Sequence, residues 1–491
     1  MPYLTFESAA RVTERLSREL LSRRPDIQSE LAYYKGEQGA LKFASEKFRK
    51  KYTGRYKGFS DNWCQPVADA GPERMTVLGI RPWASARADD ATNRAWERSE
   101  AAAGMQTALI CRAAARRSFA MVAPGRTDDT PRITFENPDS TIVDTDPATK
   151  ERRYGLVMWV DDKMEYATLY TPLEIYKFQR ETHEDRYERQ GRPVDLTAGW
   201  QPRGDDAWAS NPFQEVPIVE FANADLLDDQ PRSDIRGVMA MQDSINLIWA
   251  YLLNSLDQAS MPQRIITNAA APEAPILDAK GQVIGRRPIE LDGLVDEKIL
   301  WVPGEAKAQF WPAAQLEPFS KVIDQAVEHI ASQTRTPPHY LMAKMVNTAA
   351  EALTISEAGL VSKVRQAITQ VNPGVRAMYR LMALAMRRPA SEVERLSAGK
   401  VMWADIQYRS EAQRADSLVK KRQMGYPMEW ILEQDGNDPE QVARIMEMIR
   451  TEQAQDPLAA AHYAGSAAGP QTPESGPDAT EAGPQYERGA W

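Results

Sequence analysis

The chain has 491 residues, 60 Lys and Arg against 69 Asp and Glu, and two cysteines. Its formal net charge of −9 argues against wrapping nucleic acid over the whole surface, and two cysteines without a C-x-x-C pair exclude a disulfide-stapled scaffold and point to reducing cytosol. No run approaches the roughly 18 apolar residues of a bilayer span, MPYLTFESAARVTERLSREL has no apolar signal core, and the length gives a soft expectation of about three structural units.

Helical patterns are predicted at 6–21 and 89–111. Between them lie the phrase DNWCQPVADA and a basic stretch, where Lys42, Lys47, Arg49, Lys50, Lys51, Arg55 and Lys57 face a lone Glu46. A solvated face is the default reading of such a run. From about 119 to 221 short β-rich runs (YGLVMWV, MEYATLY, EIYKF, VPIVEF) are parted by Pro, Asp and Gly clusters, which predicts an antiparallel β region; 183–211 reads as a long loop.

A long helix is expected from Ser233 as its cap. Ile235, Val238, Met241, Ile245, Ile248, Leu252 and Leu256 form its apolar stripe, and about 25 residues give a rod near 38 Å. Residues 261–311 suit small β elements and turns. A second rod starts with Pro318 in its first turn, carries Phe319, Val322, Ile323, Ala326, Val327 and Ile330 on one face, and stops at Pro337 and Pro338. The chain thus goes out along one rod and returns along the other.

Stopping a helix at TRTPPHYLMAKMVNTAAEAL and restarting it forfeits backbone hydrogen bonds, so the segment between is a candidate functional loop. Thr348 and Glu351 have capping-box spacing for the next helix, which Asn372-Pro373-Gly374 is expected to kink or end. Further helices are predicted at 375–388, 410–421 and 440–451. The final stretch, rich in Ala, Gly, Pro, Ser and acids, reads as a disordered acidic tail. The fold class is α+β, mainly helical.

No Walker motif, G-x-G-x-x-G, G-x-S-x-G or H-E-x-x-H occurs, and His183, His329, His339 and His462 are scattered. No catalytic residue, metal ligand or cofactor is assigned. Asp144-Thr-Asp146 has the D-x-D spacing of some metal-dependent transferases, although Pro147 favours an ordinary turn. Cys64 beside Trp63 reads as a small buried hydrophobe.

Three phrases in order carry a resemblance: LAYYKGEQ with FSDNWCQPVADAGPERMTVLGIR, then MQDSINLIWAYLLNSLDQASMPQRIITN, then TRTPPHYLMAKMVNTAAEALTISEAGLVSKV. The sequence resembles the portal proteins of tailed double-stranded-DNA phages, of the long-tailed kind common among actinobacterial phages. That resemblance implies a non-enzymatic ring of twelve copies at one capsid vertex of the virion, assembled in the host cytoplasm. It further implies a wing (1–232), a first stem helix (233–260), a clip (261–312), a second stem helix (313–335), a tunnel loop (336–347), a wing helix (348–388, kinked at 373), a crown (389–455) and the tail (456–491). AAAPEAPILDAK is unusual for a clip.

On this reading Pro337, Pro338, His339, Lys344 and Asn347 contact DNA, and Ile235, Val238, Ile245, Leu252, Phe319, Val322 and Ile330 pack the stem. The implied partners are further copies of the chain, double-stranded DNA in the channel, the terminase large subunit, head-completion or connector proteins, the major capsid protein and scaffold, with no membrane. Two alternatives stay open: a metal-dependent enzyme using Asp144 and Asp146, and a helical adaptor that forms no ring.

Overall fold

The computed structural model describes residues 3–39, 41–85, 87–127, 130–182, 198–223, 226–227, 230–260, 264–267, 273–277, 281–288, 299–302, 316–342, 350–407 and 411–455. The chain divides into two compact units, Met1–Met402 and Trp403–Trp491. The first starts with α1 (Phe6–Lys35), whose N-cap Thr5 accepts a hydrogen bond from the Ser8 amide and whose C-cap Gly36 is left-handed. α1 was expected to end at 21, yet it runs on through Pro25. Burial of Ile27, Glu30 and Tyr33 beyond the proline outweighs the amide that the proline lacks.

Two short helices follow, α2 (Glu46–Tyr52) and α3 (Cys64–Asp69), then a 3₁₀ turn (Pro72–Arg74) and strand β1 (Val77–Arg81). The helix expected over 89–111 is two, α4 (Asp90–Arg98) and α5 (Ala101–Ala115). They part at Glu100, which sits at φ 51, while the Ser99 hydroxyl donates to the Ala95 and Pro131 carbonyls.

The β region forms two antiparallel sheets. β2 (Arg117–Ala123) lies between β3 (Arg132–Glu136) and β10 (Ile218–Ala222). β4 (Thr141–Thr145), β5 (Arg152–Asp161), β6 (Met164–Tyr170), β7 (Glu174–Glu181) and β8 (Gln201–Pro202) run in that order, with β9 (Trp208–Ser210) also on β7. β8 and β9 fall in the stretch read as a loop; residues 183–197 of it lie outside the described residues. Ala9, Leu16 and Leu20 of α1 cover Ile142, Leu156, Leu169, Tyr176 and Phe178 of the larger sheet, one closed core.

α6 (Met239–Ser260) and α7 (Glu317–Thr334) are the two predicted rods, about 33 Å and 27 Å long at 1.5 Å per residue. Ser233 does not cap α6. Residues 234–238 are turns, and the buried Ser233 hydroxyl donates to the Ala114 carbonyl (2.6 Å) and accepts from the Ile235 amide, fastening the lead-in to α5. Between the rods, β11 (Arg264–Thr267) pairs in parallel with β14 (Ile299–Val302), and β12 (Glu273–Leu277) antiparallel with β13 (Val283–Pro288).

α8 (Pro338–Leu341) is a single turn, and α9 (Ala350–Ala385) is one helix straight through Asn372-Pro373-Gly374. The expected end is overridden because Val371, Val375, Met378 and Tyr379 are buried, and because Gly374 admits the Phe221 ring, which a Cβ there would meet at 2.8 Å. α10 (Ala390–Ser397) follows, and β15 (Lys400–Trp403) pairs with β1. The division therefore falls at 402/403 rather than at 389. The second unit holds α11 (Glu411–Gln423), α12 (Met428–Gln434) and α13 (Pro439–Gln455); α12 was not foreseen. The proposed tail, 456–491, lies outside the described residues.

Candidate functional site: the helix pair and the turn after it

One end of the helix pair is rooted in the N-terminal core. Ile235, Val238 and Ile245 meet Ile323, Ala326, Val327 and Ile330 of α7, together with Tyr33, Cys64, Val67 and Ala113. Among the residues expected to pack the rods, Ile235, Val238, Ile245, Leu252 and Ile330 are buried, Phe319 is half-buried and Val322 is 47% exposed. Ile235 and Val238 belong to the turns ahead of α6. Burial pushes the Cys64 thiol up to about 12, so it stays protonated in this apolar setting.

A polar clasp holds α6 against the phrase FSDNWCQ. Gln242 accepts from the Trp63 amide (2.7 Å) and donates to the Asp61 carbonyl (2.5 Å), and Asn246 accepts from the Asp61 amide (3.0 Å). Asp61 Oδ2 accepts from both indoles, Trp63 (3.1 Å) and Trp249 (2.7 Å). Beside it the buried Asp243 accepts from the Tyr33 hydroxyl (2.6 Å), with Lys42 at 3.5 Å. Burial and that hydrogen bond both raise the Tyr33 pKa. Sequence reasoning missed this network. The only available signal was the polar trio Gln242, Asp243 and Asn246 inside an apolar helix.

At the rooted end α7 stops with Arg335 left-handed at φ 55 and the Thr336 amide bonded to the Ala331 carbonyl (3.0 Å). Pro337 then caps α8 and Pro338 starts it, the position where a missing amide costs nothing. The tunnel loop is expected over 336–347; in its described part, 336–342, Thr336 and Leu341 are buried. His339 lies 3.6 Å from Glu357 of α9, and Arg74 donates to the Tyr340 hydroxyl (2.6 Å) and to Glu357 (3.1 Å). Arg74 thereby ties both flanks of 343–349 to the N-terminal core. Lys344, Asn347 and Thr348 lie outside the described residues.

Asp144 pairs with Arg15 (2.8 Å) and Arg153 (3.2 Å). Asp146 accepts from the Ala148 and Thr149 amides, which hold its carboxyl below the usual range. The pair forms the ion-paired turn that Pro147 suggested. Among the described residues no group of three His, Cys, Asp or Glu side chains could hold a metal ion, and no helix is long and apolar enough to cross a membrane.

The family described as phage portal protein, SPP1 Gp6-like, matches residues 14–455. The chain belongs to this family. It is similar to the portal protein of Mycobacterium phage L5, 25% identical over 378 residues that cover 72% of this chain and 70% of that one. The portal protein of Mycobacterium phage D29 is 24% identical over 375 residues, with the same coverage. Among solved structures, a chain in the neck of a native GTA particle computed with C12 symmetry has 13% identity and a TM-score of 0.36, covering 82% of this chain and 97% of that chain. A chain of the native gene transfer agent virion has 13% identity and a TM-score of 0.31, covering 81% and 93%. As a portal protein this chain is a structural component of the phage virion, at the capsid vertex.

Proposed function

We propose that copies of this chain close into a ring of twelve around double-stranded DNA, with α6 and α7 of every copy standing side by side as the channel wall. The observation that carries this is the uneven burial of the pair. Its rooted end is packed, but near the β insert Leu256 and Val322 are 40% and 47% exposed, an arrangement that neighbouring copies complete. Light scattering and negative-stain imaging of the purified chain test it: rings with a central hole are expected, and a monomer rejects the reading.

In this ring 261–312 is the clip, facing outward toward the terminase large subunit and later the head-completion or connector proteins, and the wing meets the major capsid protein and scaffold. The segment that follows α8 points to the axis, with Lys344 as one weak phosphate contact per copy; His339 and the two prolines set its base. Sparse contact suits sliding, because duplex DNA carries about one charge per 1.7 Å and a lumen gripping many phosphates would hold it still. The net charge of −9 agrees with that. Lys344→Ala is expected to alter DNA retention or packaging while rings assemble as before; unchanged packaging rejects the contact.

A further inference from the structure

α6 is covered on two sides. At about 100° per residue, Met241, Ile245 and Ile248 form the stripe toward α7 and the N-terminal core, while Leu247, Ala250 and Leu253 form a nearly opposite stripe. Phe48, Tyr52 and Tyr56 cover the second stripe, and the Tyr56 hydroxyl donates to the Ala250 carbonyl. The order across this slab is α7, then α6, then the segment 41–59.

The outer flanks of the slab differ in charge. On the segment side, Lys50 is held by Glu46 and Arg55 by Asp257, but Lys47, Arg49, Lys51 and Lys57 are exposed and have no ion-pair partner among the described residues. Lys42, Arg49 and Lys57 line an open recess of about 530 Å³ beside Tyr33 and Tyr56. On α7, the positions turned away from its buried stripe include Glu317, Lys321, Val322, Asp324 and Glu328, three carboxylates against one lysine that already pairs with Glu317 at 2.9 Å.

We propose that these two flanks are the halves of the subunit interface, the acidic face of α7 in one copy docking on the basic segment 42–57 of the next. This rests on the ring reading and names the surfaces that close it. A head-to-tail ring needs two different matching faces on each copy, and a slab with opposite charge on opposite sides supplies them.

The test uses rings grown from equal parts of ordinary and ¹⁵N-labelled full-length chain, treated with a zero-length carbodiimide cross-linker. Mixed-isotope peptides joining Lys47, Lys51 or Lys57 to Glu317, Asp324 or Glu328 are expected. Arg49→Glu with Lys57→Glu, both exposed, is expected to keep the far-UV spectrum and to lower the salt concentration at which rings dissociate, with partial recovery on adding Glu328→Lys. Rings that form without those cross-links and dissociate at the wild-type salt concentration overturn the interface and leave the ring standing. Loss of binding to a 20-base-pair duplex probe with ring stability unchanged assigns the segment to DNA and also overturns it. A wild-type chain that stays monomeric removes the ring reading itself.

Discussion

The body made by α1 and the larger sheet differs from the α6–α7 pair in how each buries its apolar surface. In the body, Leu16 and Leu20 lie against Leu156 and Phe178, and every one of them is at most 1% exposed within a single copy. In the pair, Ile245, Leu252, Ile323 and Ile330 are buried, whereas Leu256 and Val322 are 40% and 47% exposed. The first region owes its stability to its own sequence. In the proposed ring the second leaves part of its packing to a neighbour, which is how a chain can fold before it assembles and still prefer the assembly.

The largest expected effect breaks the body. Leu156→Ala opens a cavity between β5 and α1, and the cost is about 2–5 kcal/mol in denaturant unfolding; a loss under 1 kcal/mol would mean that this core is not the anchor. Next comes a contact holding the link between α9 and α10 to the N-cap of α4, where Arg388 donates to Asp89 at 2.6 Å. Although burial raises the Asp89 pKa, the hydrogen bonds from Arg388 and Thr92 outweigh it and hold it below the usual value. Its folded pKa is depressed, so the contribution is present above about pH 4 and is lost as pH falls through the folded value. Arg388→Ala should cost about 1–3 kcal/mol near neutrality, and the acid limb of the stability curve should flatten; an unchanged acid limb would show that the pair is idle.

The smallest expected effect on a lone chain sharpens the comparison. Leu256→Ser with Val322→Ser should change unfolding of isolated subunits by no more than about 0.5 kcal/mol, yet lower the concentration stability of the ring by light scattering. Equal losses in both measurements would place these side chains in the subunit's own core.

The rods, the antiparallel region and the break at Pro337 were legible because period and proline placement are local signals, as at Ile323, Ala326, Val327 and Ile330. That α1 runs on past 21 and α9 past Pro373 has a shared reason: each helix has residues beyond that point buried by distant elements, and no local pattern reports that. Ser233 resembled a cap because the α5 carbonyls it bonds are more than a hundred residues away in sequence. The division at 402/403 depends on β15 pairing with β1 across more than three hundred residues. Of the expected site, His339 and the prolines are placed at the base of the segment, whereas the Arg74 and Glu357 contacts that fix that base were invisible until the fold brought them together.

The parallel pairing of β11 with β14 has a mechanical meaning. β11 follows closely on the end of α6 and β14 leads toward the start of α7, so a force that separates the two rods pulls on opposite ends of the strand pair. Such loading strains the ladder Arg264↔Ile299 to Thr267↔Val302 in shear, all its bonds together, instead of unzipping it one bond at a time.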